Sequence, residues 1–188
     1  YGAVCRGNAS NCLYPNEIRV DGLEAFRELV KHDHVFAEFK GNYRSIENFL
    51  RAKSLPGDID NSHSDHPEDW IYPKDIAAFF SGVEYYVHFS RHHMKQKGSE
   101  SPRPRFHVVF PIDEVNSSTQ YASWKQRLQK AYTFFDTEAL DAARFFYGTE
   151  DPQVEYREGS ITLTEFLQEY EDEAAFTEMG QRRQVLKR

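Results

Sequence analysis

Side-chain chemistry is most concentrated in the run Gly57-Asp58-Ile59-Asp60-Asn61. Strand side chains alternate, so Ile59 turns to the core while Asp58 and Asp60 share the opposite face. Two carboxylates held that close repel unless a cation neutralises them. Hard oxygen donors of this kind suit Mg²⁺ or Mn²⁺. Taken alone, the same run also fits a solvated turn. A second candidate is His107, in Pro104-Arg-Phe-His-Val-Val-Phe-Pro111. Phe106, Val108 and Phe110 form an apolar face, which directs the imidazole to the side shared with Arg105. A lone strand histidine commonly fills a structural role, but this one follows a basic stretch. Between Ser90 and His107, five basic side chains (Arg91, Lys95, Lys97, Arg103, Arg105) meet one acid, Glu100. A strand ending in Ser90-Arg91-His92-His93 and returning through Arg103 and Arg105 would gather cations around one cavity, a grip suited to phosphates. The plainer reading is an exposed charged loop. A third candidate, Asp136, follows Phe134-Phe135 at an expected helix end, where the helix dipole disfavours an acid. Asp141 and Arg144 have the i,i+3 spacing of an ordinary helix pair.

These residues need elements to hold them. Asp21-Gly-Leu-Glu24 has capping-box spacing and predicts a helix burying Leu23, Phe26, Leu29 and Val30. A strand over 34–39 follows, then a helix capped by Ser45 that turns Ile46, Phe49 and Leu50 inward. Residues 55–60 predict a short strand entered through a turn, and 61–70 a polar loop. Pro73 suits the first turn of a helix burying Ile76, Phe79 and Phe80. Alternation over 83–90 and 105–110 predicts a hairpin whose long connection, 91–104, is of a length usually tied to function. After a cap at Ser117 or Ser118, Tyr121, Trp124, Leu128, Ala131, Tyr132 and Phe135 keep a helical period, with Asp136 at the end. A short helix or turn covers 139–146 and stops at Gly148. Thr162-Leu-Thr-Glu165 is a second capping box, opening an acidic helix to Glu178, and 180–188 reads as frayed. The order predicts an α+β fold around one central, mostly antiparallel sheet.

With 15 Phe and 11 Tyr in 188 residues, the chain is too aromatic for disorder and long enough for one proper core. No apolar run approaches the ~20 residues that span a bilayer, so no membrane partner is expected. The formal net charge of −7 excludes nucleic-acid affinity spread over the whole surface. Charge is instead segregated: basic over 90–107, acidic over 164–178. Cys5 and Cys12 could pair, or form half of a zinc site with His32 or His34. Two free thiols in a reduced cytoplasm is the simpler expectation, since CxxC spacing is lacking. The chain opens on Tyr rather than Met, which suggests a piece of a longer polypeptide.

Taken in order, Asp58-Ile-Asp60, the strand residue His107, and Asp136 ahead of Asp141-Ala-Ala-Arg-Phe-Phe-Tyr-Gly148 resemble the three-motif series of the archaeo-eukaryotic primase superfamily. Its members include primase-polymerases of plasmids, phages and integrated elements. The resemblance spans roughly residues 36 to 149. It implies a primase-polymerase catalytic core with an RRM-like palm over 1–160, then an acidic helix and tail over 161–188 leading to further domains. It also implies template-directed nucleotidyl transfer, with Asp58, Asp60 and Asp136 as catalytic residues holding two Mg²⁺ or Mn²⁺ ions. His107 would contact the incoming nucleoside triphosphate, aided by Ser90, Arg91, Lys95, Arg105 and Arg44. The implied partners are a single-stranded DNA template, a primer and a helicase in the same polypeptide or operon, in a bacterial, phage or mobile-element cytoplasm. One departure stands out: the family's serine two residues before the histidine is Arg105 here, leaving Ser90 or Ser101 to supply a hydroxyl. Two other readings use the same residues. A metal-dependent nuclease needs the carboxylates but no triphosphate loop. A non-catalytic replication-initiation module is poorly served by His92-His93, which are adjacent rather than alternating.

Overall fold

The computed structural model describes residues 3–7 and 12–185, with side chains from 12 to 179. It is an α+β fold with two antiparallel sheets. A small sheet has the order β2-β1-β3, from β1 (Ala3–Gly7), β2 (Asn16–Val20) and β3 (His34–Val35). The main sheet has the order β4-β5-β7-β6-β8. Its strands are β4 (Ala37–Phe39), β5 (Phe49–Ile59), β6 (Tyr85–Phe89), β7 (Phe106–Val115) and β8 (Val154–Arg157).

Helix α1 (Leu23–Val30) buries Phe26, Leu29 and Val30 against Val20, Phe36, Tyr86, Val109 and Phe146 on one side of this sheet. Its N-cap is Gly22 with no side-chain bond, so the box expected at Asp21 and Glu24 does not form. On the other face, Leu55, Val87, Phe106, Val108 and Phe110 meet α2 (Pro73–Phe79), α3 (Ser118–Ala131) and the start of α4 (Leu163–Val185). Residues 108 and 109 thus face opposite layers, as the strand period requires. Two caps form as expected. Ser117 Oγ accepts from the Gln120 amide, and Glu165 and Thr162 bond reciprocally.

The expected helix after Ser45 is absent. Ser45 Oγ accepts the Asn48 amide in a turn, and Phe49 opens an eleven-residue strand that leaves Ile46 and Leu50 half exposed. Phe79 is also exposed, at 42%, although its ring lies against Tyr132 and Phe134. The strand expected over 34–39 breaks at Phe36, so its two halves serve different sheets. Helix α3 ends at Ala131, ahead of Phe135, and α4 runs on to Val185 where fraying was expected. Cys12 is a free thiol, and the Cys5 side chain lies outside the described residues. No helix among the described residues is long and apolar enough to cross a membrane.

Candidate active site

Three adjacent strands carry the centre of the site in one row. Asp58 on β5 pairs directly with His107 on β7, which pairs directly with His88 on β6. All three side chains lie on the α1 side of the sheet, with the same parity as Val109. Ile59, one step from Asp58, is fully buried on the opposite face.

Asp136 reaches this row from the far side of the sheet through backbone contacts. β4 pairs with β5 only over residues 49–52, so the second half of β5 has an open edge. There the Asp136 amide donates to the Asp58 carbonyl at 2.8 Å. Pro56, two residues earlier, points its missing N–H along the same edge, where a ladder bond is not required. Gly57 completes the fit: a Cβ on it would stand 2.5 Å from two ring carbons of the buried Phe135. The small residue lets that ring lie on the strand, and the next residue is Asp136. The Asp136 side chain begins a 3₁₀ turn over Thr137–Ala139, with Oδ1 accepting the Glu138 amide at 2.9 Å. The acid therefore sits at a favourable N-terminus rather than at the end of α3.

Asp58, Asp60, Asp136, His107, Ser90 and Arg91 line one cleft of about 250 Å³. Of the expected cations, Lys95, Arg105 and Arg44 lie elsewhere. Arg105 is fully buried; its guanidinium donates to the carbonyls of His92 and Lys95 and to Glu100 Oε2. Arg103, equally buried, donates to the carbonyls of Asn61 and Ser64 and to Asp65. A buried guanidinium needs partners for its donors, so these two staple the 91–104 loop; only Arg105 Nε is left without a hydrogen bond, 3.9 Å from Asp60 Oδ1. The Lys95 side chain is exposed outside the cleft, and Arg44 donates to the Ala143 carbonyl at 2.9 Å and covers the Phe145 ring. His92 and Lys97 of the basic stretch also stand in the cleft, together with Arg144 and Glu138, which were not expected there. A tight turn bridging Lys97 to Glu100 brings the Lys97 ammonium to Asp60 Oδ2 at 2.8 Å. Arg144 lines the cleft next to a turn in which Asp141 accepts the Ala143 amide, and among the described residues no hydrogen bond or ion pair engages its guanidinium. Of the two serines, Ser90 lines the cleft, whereas the Ser101 hydroxyl accepts from Arg103.

Burial, together with Asp60 and Asp136, pushes the Asp58 carboxyl up to about 7. Its buried Oδ1 has no hydrogen-bond partner; His107 Nε2 lies 3.4 Å away without forming a hydrogen bond. Behind His107, Nδ1 meets His88 Nδ1 at 3.4 Å, and His88 Nε2 meets the Thr149 hydroxyl at 3.0 Å. Burial drives both imidazoles down, His107 to about 3 and His88 to about 2, so both are neutral. His88 could have been found from sequence, because it alternates in register with Ser90 on the hairpin partner of His107.

The donor set suits a hard divalent cation: three carboxylates, one with a bare buried oxygen, beside an ammonium that already supplies positive charge at Asp60. Among the described residues, no three acidic, His or Cys side chains are drawn together tightly enough to hold an ion as they stand. Asp60 is turned to Lys97 and Asp136 to its own turn. Compared with known proteins, the chain matches no family model, no curated protein and no solved structure.

Proposed function

We propose that this chain is the catalytic core of a primase-polymerase, joining nucleotides on a single-stranded DNA template. One observation carries the reading: three carboxylates from two segments far apart in the chain, Asp58 with Asp60 and Asp136, share a cleft whose lining also includes His107, Ser90, Arg91, Lys97 and Arg144. Carboxylates and cations in one cavity match the two needs of a triphosphate reaction, holding a metal ion and neutralising phosphate. Asp58, Asp60 and Asp136 would hold Mg²⁺ or Mn²⁺, which supplies Lewis-acid activation of a 3′-hydroxyl and stabilises the departing pyrophosphate. The Arg144 guanidinium and the Arg91 side chain offer donors to phosphate oxygens and offset the charge that builds as the α-phosphate is attacked. His107, neutral and backed by His88, can donate one N–H into the cleft without adding charge beside Asp58. Lys97 is placed to exchange Asp60 for a phosphate once a cation takes over the carboxylate. The five-stranded antiparallel sheet with helices on its faces is compatible with a palm of the RRM-like kind.

The test incubates the protein with Mn²⁺ or Mg²⁺, nucleoside triphosphates and a single-stranded template, with and without a primer. Product without primer, or extension of a supplied primer, is expected, and Asp58→Ala abolishes it while the circular-dichroism spectrum is kept. Template degradation without synthesis would point to a nuclease. No product under any condition, or full activity in Asp58→Ala, contradicts the proposal.

A further inference from the structure

The cleft has an aromatic edge that the carboxylates and cations do not use. Tyr147 lines it yet is 51% exposed, and the Arg91 guanidinium lies 4.2 Å over its ring. Phe145, also in the lining, contacts Tyr147 edge-on at 5.0 Å and is covered on its own side by Arg44 at 4.8 Å. The four side chains form a continuous run of arginine–aromatic contacts that reaches the cleft through Phe145, Tyr147 and Arg91.

The backbone holds this rim firmly. His34 and Phe146 exchange both backbone hydrogen bonds at 2.9 Å, and the Thr149 amide donates to the Val30 carbonyl. The Gly148 amide donates to Asp33 Oδ1, and a Cβ on Gly148 would stand 2.5 Å from the Lys31 carbonyl oxygen. Phe146 is thereby buried against His107, and its neighbour Tyr147 is presented at the mouth. A large ring, half solvated and fixed by its backbone, gives up little conformational entropy when a flat partner stacks on it.

Resting on the reading of the cleft as a triphosphate site, we propose that Tyr147, with Arg91, is the stacking platform for the base of the incoming nucleoside triphosphate. Arg91 then has two contacts available, the Tyr147 ring on its face and a phosphate oxygen on its edge, which couples the base to the phosphate end. A ring–base stack is tolerant of base identity, because every base has a flat π-face. The platform thus recognises that a base is present rather than which base it is, as suits an enzyme whose template makes the selection.

Equilibrium binding in the presence of Mg²⁺, without template, tests this with two probes: dATP and inorganic tripolyphosphate. The wild-type protein should bind dATP roughly tenfold more tightly than tripolyphosphate, the size of effect that one stacked base supplies. Tyr147→Ala should remove that difference and leave the tripolyphosphate affinity unchanged, and Tyr147→Phe should restore it. Equal affinity for both probes in the wild type, or an undiminished difference in Tyr147→Ala, overturns the assignment. So does an equal loss for both probes, which would make Tyr147 a support for Arg91 alone. Loss of affinity for a short single-stranded oligonucleotide with dATP binding unaffected would give the platform to the template instead. If neither probe binds, the triphosphate reading of the cleft fails first and takes this inference with it.

Discussion

Burial and two neighbouring carboxylates raise the Asp58 carboxyl to about 7, whereas burial lowers His34 to about 4, His107 to about 3 and His88 to about 2. The two kinds of group act in opposite directions on stability. Each histidine binds a proton more readily unfolded than folded, so its contribution is complete above about 6.5 and is lost as pH falls below that. Asp58 is the reverse: its contribution is complete below about 4 and is lost as pH rises toward 7. Between about pH 4 and 6.5 three histidines oppose one aspartate, and the native state gains stability as pH rises. Asp58→Asn removes the opposing member. Thermal unfolding in EDTA should show the variant more stable than the wild type by a margin that grows by about 3 kcal/mol from pH 5 to pH 8, or several degrees in Tm. Parallel melting curves for the two proteins would mean that Asp58 titrates normally.

The elements that position the site were legible to different degrees. The hairpin of β6 and β7 followed from its alternation, and the caps of α3 and α4 from Ser117 and from Thr162 with Glu165. The alternation that put Asp58 and Asp60 on one face also held. β5 was half hidden. Exposed Leu50, Arg51 and Lys53 alternate with buried Ala52 and Ser54, a pattern with little apolar contrast, and Ser45 offered a competing helix start. The loop misled for a different reason. Arg103 and Arg105 look like phosphate ligands in sequence, and only tertiary contacts reveal that carbonyls and carboxylates take up most of their donors. Arg144 erred in the opposite direction, because its spacing from Asp141 suggested a local partner. Gly57 was visible but unexplained until Phe135 was seen lying over it. Gly57→Ala should force that ring, and Asp136 behind it, off the open edge of β5. The expected cost is about 1–3 kcal/mol in denaturant unfolding, together with weaker divalent-cation binding. A variant of wild-type stability and cation affinity would show that the ring has room to move.

Across the whole molecule, a net charge of −7 coexists with a cleft that mixes both signs. Glu171 of the acidic α4 pairs with Arg127 of α3 on the layer opposite the cleft, so the acidic helix and the cleft lie on different faces of the main sheet. The first turns of α4 belong to the main core through Leu163 and Leu167, which ties the acidic helix to the same body as the site. What the molecule does depends on whether residues 58, 60 and 136, brought together at the end of β5, act as one cation site. Electron paramagnetic resonance of Mn²⁺ titrated into the protein measures this without requiring turnover. Saturable binding is expected in the wild type and in Asp113→Asn, whose carboxylate is on the exposed surface. Asp58→Asn and Asp136→Asn should each weaken it roughly tenfold or more, since each removes a charged ligand. Mn²⁺ that stays free in the wild-type protein, or binds Asp136→Asn as tightly as wild type, would contradict the account.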